Sequence, residues 1–420
     1  MTRSLPLACV LAVSLLAGGM VACQRLWEDS PAIRVVLWRP ESPAAWQEAI
    51  DSFKAQHPGL EVVLEIGPNS STALHDLLTQ KLRNRDPSVD VFVMDVIWQT
   101  EFAAAGWTLP LDERFSPEER EQFFPAMIEA LTWGGHVHGV PLNTDAGLLY
   151  YRKDLLDKHG LEPPRTWPEM VRQVERIEVA QADPALAGYS AQLSQYEGLV
   201  CNLLEFVVSN GGRLDDPQDP RTIAALRFVR DEIVGKAAPE GVLTYDEQAS
   251  LDLFRSGRAI FHRNWPYAWK VLQDPSTSSV AGKVGLARLP AFEGHEPASC
   301  LGGWSLGVHA ASRRPDMAWA FARHMTSETV QRLFAVREGK APARRSLYDD
   351  PEVLRSNPAF SGLRQALESA VPRPRSPLYP QISRAIQRFG HEAVGDDDSD
   401  LEALAQKAAR RIARAEERLR

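Results

Sequence analysis

The chain has 420 residues, 44% of them apolar and 24% charged, with a net charge of −8, which excludes disorder as its main state and provides apolar material for two or three domains. No dense basic patch is present to displace counterions from phosphates, so nucleic acid is not an expected partner. Four cysteines with no Cys-x-x-Cys pair exclude a disulfide-stapled mini-domain and a cysteine-rich zinc array.

Arg3 is followed by an apolar stretch from Leu5 to Gly19 and then by Met20, Val21, Ala22 and Cys23, the three-part layout of a secretory signal over residues 1–22. The stretch is short for a membrane span. The small residue before Cys23 resembles a bacterial lipobox, so Cys23 is expected to become a lipidated N-terminus, with ordinary signal cleavage as the alternative. Localisation is then at a bacterial membrane face, as a periplasmic or cell-surface lipoprotein. Cys201 and Cys300 remain in the mature part; the sequence does not say whether they meet, and buried free thiols are the expectation.

Ile33 to Trp38 reads as a strand, Trp46 to His57 as a helix with Trp46, Ile50 and Phe53 on one face, and Leu60 to Ile66 as a second strand ended by Gly67 and Pro68. A helix over Leu74 to Arg85 and a continuous apolar strand from Val91 to Met94 complete an α/β beginning. Val137 to Leu142 and Ala146 to Tyr151 are predicted strands separated by a break at Asn143, Thr144 and Asp145. Helices follow at Trp167 to Val179 and Gly198 to Ser209, the second stopped by Asn210, Gly211 and Gly212. Short strands are expected at Ala259 to His262, Lys283 to Leu289 and Ser305 to His309. A last helix from Leu401 follows a run of aspartates and ends in arginines, the order that suits the helix dipole.

Asp95 stands at the carboxyl end of the strand from Val91, where open α/β sheets bind ligands; it reads equally as a hydroxyl acceptor or as an N-cap for a helix starting at Val96. Asn143 and Asp145 would suit a crossing between lobes, although a plain turn is the commoner use of such residues. Aromatic residues gather at Trp265, Tyr267 and Trp269, and at Trp304 behind Gly302 and Gly303. Indole faces beside carboxylates and amides are what a sugar site needs, while core packing is the alternative. Glycines there would let backbone amides approach a ligand. Arg373, between Pro372 and Pro374, could offer a planar fork of donors or lie solvated at the surface.

Gly303 to Gly307 spell G-x-S-x-G, a nucleophile elbow that would make Ser305 catalytic, but Leu306 and Val308 continue as a strand where an elbow needs an immediate helix. A second enzymatic reading pairs Asp95 with Asp145 as glycosidase carboxylates. His136 and His138 could share a strand face as metal ligands; no third ligand is evident, and a solvated pair is expected. No cofactor motif is present.

The segments Asp90 to Trp98 (DVFVMDVIW), Asp145 to Lys158 (DAGLLYYRKDLLDK), Gln195 to Asn202 (QYEGLVCN), Arg263 to Trp269 (RNWPYAW), Leu301 to Trp304 (LGGW) and Val371 to Pro374 (VPRP) together resemble the extracellular solute-binding proteins of sugar ABC importers, and most closely the trehalose and maltose binding proteins. The resemblance spans nearly the whole mature chain in order. It implies a two-lobed α/β periplasmic-binding fold of type II with three crossings between lobes: 30–142 and 304–342 in an N-terminal lobe, 143–303 and 343–420 in a C-terminal one. It also implies a sugar in the cleft, importer permease subunits as partners, a monomer, and no enzymatic activity. Carried over by motif, Asp95, Asn143, Asp145, Trp265, Gly302, Gly303, Trp304 and Arg373 fall at ligand-contacting positions. Asn143 stands where relatives carry an aromatic residue, and the stretches at Glu41 to Ser42 and at Leu74 and His75 depart from the family's acidic and arginine contacts.

Overall fold

A computed structural model describes residues 32–417 apart from 39, 41, 69, 70 and 369. The signal segment, Cys23 and Glu41 therefore lie outside the described residues. Strand β1 (Ala32–Leu37) pairs in parallel with both β2 (Glu61–Ile66) and β3 (Val91–Asp95). The helix between the first two, Pro43–Gln56, starts where Ser42 Oγ accepts the Ala45 N–H at 3.3 Å with Pro43 behind it. It buries Ala45, Trp46, Ala49, Ile50 and Phe53 on one face.

Beyond a small hairpin of β4 (Thr132–Trp133) and β5 (His136–Val137) come β6 (Val140–Ala146) and β7 (Leu148–Arg152). The remaining strands are β8 (Ala187–Ser190), β9 (Ala259–Asn264), β10 (Val284–Ala287), β11 (Ser299–Val308) and β12 (Ala370–Val371). They form two larger sheets. A six-stranded sheet runs β12-β11-β3-β1-β2 with β6 on β11, and a four-stranded sheet runs β10-β7-β9-β8.

One apolar core draws on Ile33 to Leu142 and again on Leu306 to Ala343. A second draws on Leu149 to Cys300 and on Ile382 to Ala415. A third group, including Met127, Ala146, Leu301, Ala341 and Phe360, lies where the others meet. Three segments pass from one main core to the other: β6 into β7, β11, and the stretch around Ala341. They run side by side, since β11 pairs with β6 and Thr144 N–H donates to Ala341 O at 3.0 Å.

Two sequence expectations need correction here. Asn143, Thr144 and Asp145 form no break, because β6 runs through them as one strand; their polar side chains imitated a turn. The strand expected at Val137 to Leu142 is interrupted instead at His138 and Gly139, and Val137 belongs to the hairpin. Among the described residues no helix is long and apolar enough to cross a membrane.

Candidate functional site

The site follows from the register of three strands. On β11, Trp304 lies opposite Asp95 of β3 on one side and Asn143 of β6 on the other, while Gly302 lies opposite Asp145. Residues directly opposite share a sheet face, as do residues two apart along a strand. Asp95, Trp304, Asn143, Gly302 and Asp145 therefore occupy one face. Between Trp304 and Ser305 the register with β6 slips by one residue, leaving Leu142 without an opposite number.

Gly303, just before that irregularity, has φ +133°, and a Cβ there would lie 2.6 Å from Asn143 O. Glycine is required for the backbone path and the close approach of β6. Gly303 O accepts the Val96 N–H at 3.0 Å, which fixes the turn leaving β3. Asp95 Oδ1 accepts the Ile97 N–H at 3.3 Å within this turn, and the helix beyond begins only at Gln99 with Trp98 as its N-cap, so Asp95 caps no helix. A Cβ on Gly302 would stand 3.1 Å from the Trp265 ring and 3.3 Å from Asp145 Cβ. The missing side chain seats Trp265, which arrives from the end of β9 in the other core, against the polar face.

The indole of Trp304 is half-buried, with its ring centroid 4.7 Å from Trp38 at 32° and 5.5 Å from Trp98 at 85°. Trp98 packs on His75, whose Nε2 is 2.6 Å from Glu101 Oε2. Trp265 is half-buried and anchored through its neighbours. The Arg263 guanidinium lies 3.9 Å from its ring centroid, its backbone N–H donates to Asn264 Oδ1 at 2.7 Å, and its carbonyl accepts the Tyr150 hydroxyl at 2.8 Å. Arg263 and Glu205 form a two-pronged ion pair at 2.9 and 2.5 Å, each side chain 1% exposed. Lys340 Nζ stands 5.2 Å from the Trp38 ring and 6.0 Å from that of Tyr267, on the third crossing segment.

Arg373 is buried, so the surface alternative is withdrawn. Its Nη1 donates to Glu197 Oε1 at 2.8 Å, its Nη2 donates to Leu301 O at 3.3 Å, and Nη2 lies 3.6 Å from Asp95 Oδ1. Glu197 is itself held by Ser383 and Tyr379. Burial pushes the Asp95 carboxyl up to about 6, against the opposing pull of Arg373, with the Glu197 and Glu247 charges adding to the rise. Asn143 Nδ2 donates to Asp145 Oδ2 at 2.9 Å. Among the described residues Asn143 Oδ1 and Arg373 Nε are buried and have no hydrogen-bond partner, one an acceptor and one a donor.

All eight positions singled out in the sequence between Asp95 and Arg373 thus lie in one neighbourhood. What sequence reasoning missed is the support beneath them: Trp38, Trp98, Glu197, Glu205, Arg263 and Lys340. The signal for Glu205 and Arg263 was available, as charges inside an apolar helix, Glu197–Val208, and an apolar strand, β9.

The catalytic alternatives find little support in this geometry. Ser305 lies in the middle of β11, fully buried, accepting from Gln99 Nε2 at 3.1 Å, and no helix follows it. Asp95 and Asp145 are separated by β11, which at about 4.8 Å per strand spacing and two residues of offset puts their backbones about 12 Å apart. The two histidines are not a solvated pair: His136 bonds Asp112 at 3.0 Å, whereas His138 is buried beside Thr108 at 3.1 Å. No group of three or more potential metal ligands occurs among the described residues.

The family model for bacterial extracellular solute-binding proteins matches residues 39–332. The chain belongs to that family. It is 36% identical over 345 residues to a probable ABC transporter-binding protein of Deinococcus radiodurans, covering 79% of this chain and 81% of the relative. A maltotriose-binding protein of Pyrococcus abyssi is 25% identical, covering 89% of this chain and 80% of its own length. Among solved structures, T. maritima MalE3 with maltose bound superposes with a TM-score of 0.84 at 35% identity, covering 91% of this chain and 99% of that one. The two cores joined by three segments are thus those of a type II periplasmic-binding fold. The family is extracellular, and this solute-binding protein is an exported one.

Proposed function

We propose that this solute-binding protein captures a sugar, a disaccharide such as maltose or trehalose, between its lobes and delivers it intact to the permease of an ABC importer. The observation that carries the proposal is the shared face of Asp95, Asn143, Asp145 and Trp304, with Trp265 brought against it from the second core. Indoles suit the C–H faces of pyranose rings, and the unpaired Asn143 Oδ1 and Arg373 Nε suit hydroxyls. The resemblance to a maltotriose-binding protein and to a maltose-bound structure supports an α-linked glucose oligomer. A mannitol-binding protein of Pseudomonas aeruginosa, 26% identical, makes a small polyol the main competitor. In this reading residues 30–142 with 304–342 and 143–303 with 343–420 are the two lobes, the chain is a monomer, and Cys23 carries a lipid anchor after removal of residues 1–22. No bond of the ligand is broken.

Calorimetry with maltose, maltotriose, trehalose and mannitol tests the reading. Binding of at least one of the glucose oligomers is expected, and at 100 times the dissociation constant the ligand should add about 2.7 kcal/mol of stability. Silence of all three oligomers beside a response to mannitol would replace the sugar with a polyol. Sugar or ester hydrolysis lost on Ser305→Ala or Asp95→Asn would restore the enzymatic alternative. The mass of the mature N-terminus decides the lipid.

A further inference from the structure

Beyond Cys23 the chain has two cysteines, Cys201 and Cys300. They are 2% and 0% exposed and in the same core, both are free thiols in this structure, and Cys300 is the neighbour that most raises the Cys201 pKa. The backbone explains why they meet. The helix Glu197–Val208 presents Glu197, Cys201 and Glu205 at a spacing of one turn along one face. Glu205 Oε1 accepts the Cys300 N–H at 3.1 Å, and Glu197 holds Arg373, which donates to Leu301 O at 3.3 Å. Cys201 lies between these two attachments, directly over the start of β11. A core side chain touches roughly 6 to 12 others, so two cysteines placed at random in a chain of this length would meet in only about a few per cent of cases. A buried free thiol serves well as a small apolar group, but that use gives no reason for the pair to coincide.

We propose that Cys201 and Cys300 form a disulfide that ties the helix Glu197–Val208 to β11. The oxidant is a protein disulfide donor outside the cytoplasm. The thiolate of one cysteine attacks the donor's disulfide and releases one donor thiol; the other cysteine then displaces the second donor thiol from the mixed disulfide. Two cysteine protons and two electrons pass to the donor, which leaves as a dithiol. The neighbouring Cys300 thiol and burial both hold the Cys201 thiol well above its ordinary range, so little thiolate exists in the folded protein and the exchange belongs to folding, before the helix docks. Once formed, the bridge fixes the frame from which Glu197 holds Arg373 and Glu205 holds Arg263 beneath Trp265. The inference uses membership of an exported family and is independent of which solute binds, so it can fail while the proposed function stands, and the reverse.

The test is a thiol map of the full chain, exported by a bacterium that has a dithiol–disulfide oxidase, unfolded in guanidinium with N-ethylmaleimide and no reductant. Neither Cys201 nor Cys300 should be labelled, the peptides containing them should appear joined, and prior reduction should label both. In the Cys300→Ala variant Cys201 should become fully labelled. Labelling of both cysteines in the unreduced wild type overturns the proposal, as does a Cys201 that stays unlabelled in Cys300→Ala.

Discussion

Asp95 shows how a single carboxylate can weaken a fold while equipping it for a ligand. Its side chain is 13% exposed, and the loss of water outweighs the attraction of Arg373, so its pKa stands at about 6 against roughly 3.9 in an unfolded chain. A raised carboxyl pKa contributes stability that is fully present below about pH 3.9 and is lost as the pH rises through 6. At neutral pH the ionised group therefore costs on the order of 3 kcal/mol. Asp95→Asn should raise the melting temperature at pH 7.5, and the gain should vanish below about pH 4. The same substitution should weaken sugar binding by roughly 10 to 150 fold, the worth of a hydrogen bond to a charged group. Melting curves at both pH values with calorimetry at the higher one check it; a variant less stable than the wild type at pH 7.5 would mean that Arg373 dominates after all. Asp95, Trp304 and Arg373 were legible because a carboxylate at a strand end and an arginine between prolines are unusual placements. Glu205 and Arg263 stood out as charges inside apolar elements, but their pairing was not legible, since the chain does not disclose which buried charges face one another.

At the scale of the element, β11 carries most of the site and was the most incompletely read. Only Ser305 onward has the apolar pattern of a strand, while Leu301 to Trp304 has glycines and an indole that suggest a loop. The reason is that Gly302 and Gly303 are small to admit Trp265 and the backbone of β6, not to break the strand. β6 was misread for a related reason: Asn143 and Asp145 have turn chemistry because their side chains serve the polar face. By contrast β1 and β3, buried inside the sheet, read directly as apolar runs. Gly303→Ala should thus be disproportionately damaging. It forces a side chain onto φ +133° and to 2.6 Å from Asn143 O, so a loss of about 2 to 4 kcal/mol is expected. Gly302→Ala meets the Trp265 ring at 3.1 Å and Asp145 Cβ at 3.3 Å, both side-chain atoms, and has no positive φ to strain, so it should cost less, while displacing Trp265. Denaturant unfolding of the two variants side by side checks the order, and equal losses would show that the backbone at Gly303 relaxes freely.

For the whole molecule the two aromatic supports belong to different cores: Trp304 packs with the first and Trp265 with the second. A ligand shifts an equilibrium between open and closed lobes only by its difference in affinity for the two, and a ligand touching one lobe alone shifts nothing, however tightly it binds. If the proposed sugar stacks on both indoles, closure should therefore depend on both of them. In small-angle scattering the wild type should contract when saturated with the sugar found by calorimetry. Trp265→Ala leaves the sugar to the face of Asp95, Asn143 and Trp304, so binding should weaken by roughly 10 fold or more, a loss of about 1.4 kcal/mol or more. Raising the sugar until this variant is again saturated should restore occupancy without restoring the full contraction, because the contact that rewarded closure has been removed. Trp304→Ala should behave in the same way from the other side. A saturated Trp265→Ala protein that contracts as far as the wild type would show that closure is driven by contacts between the lobes themselves, with Arg373 between Asp95 and Glu197 as the first place to look.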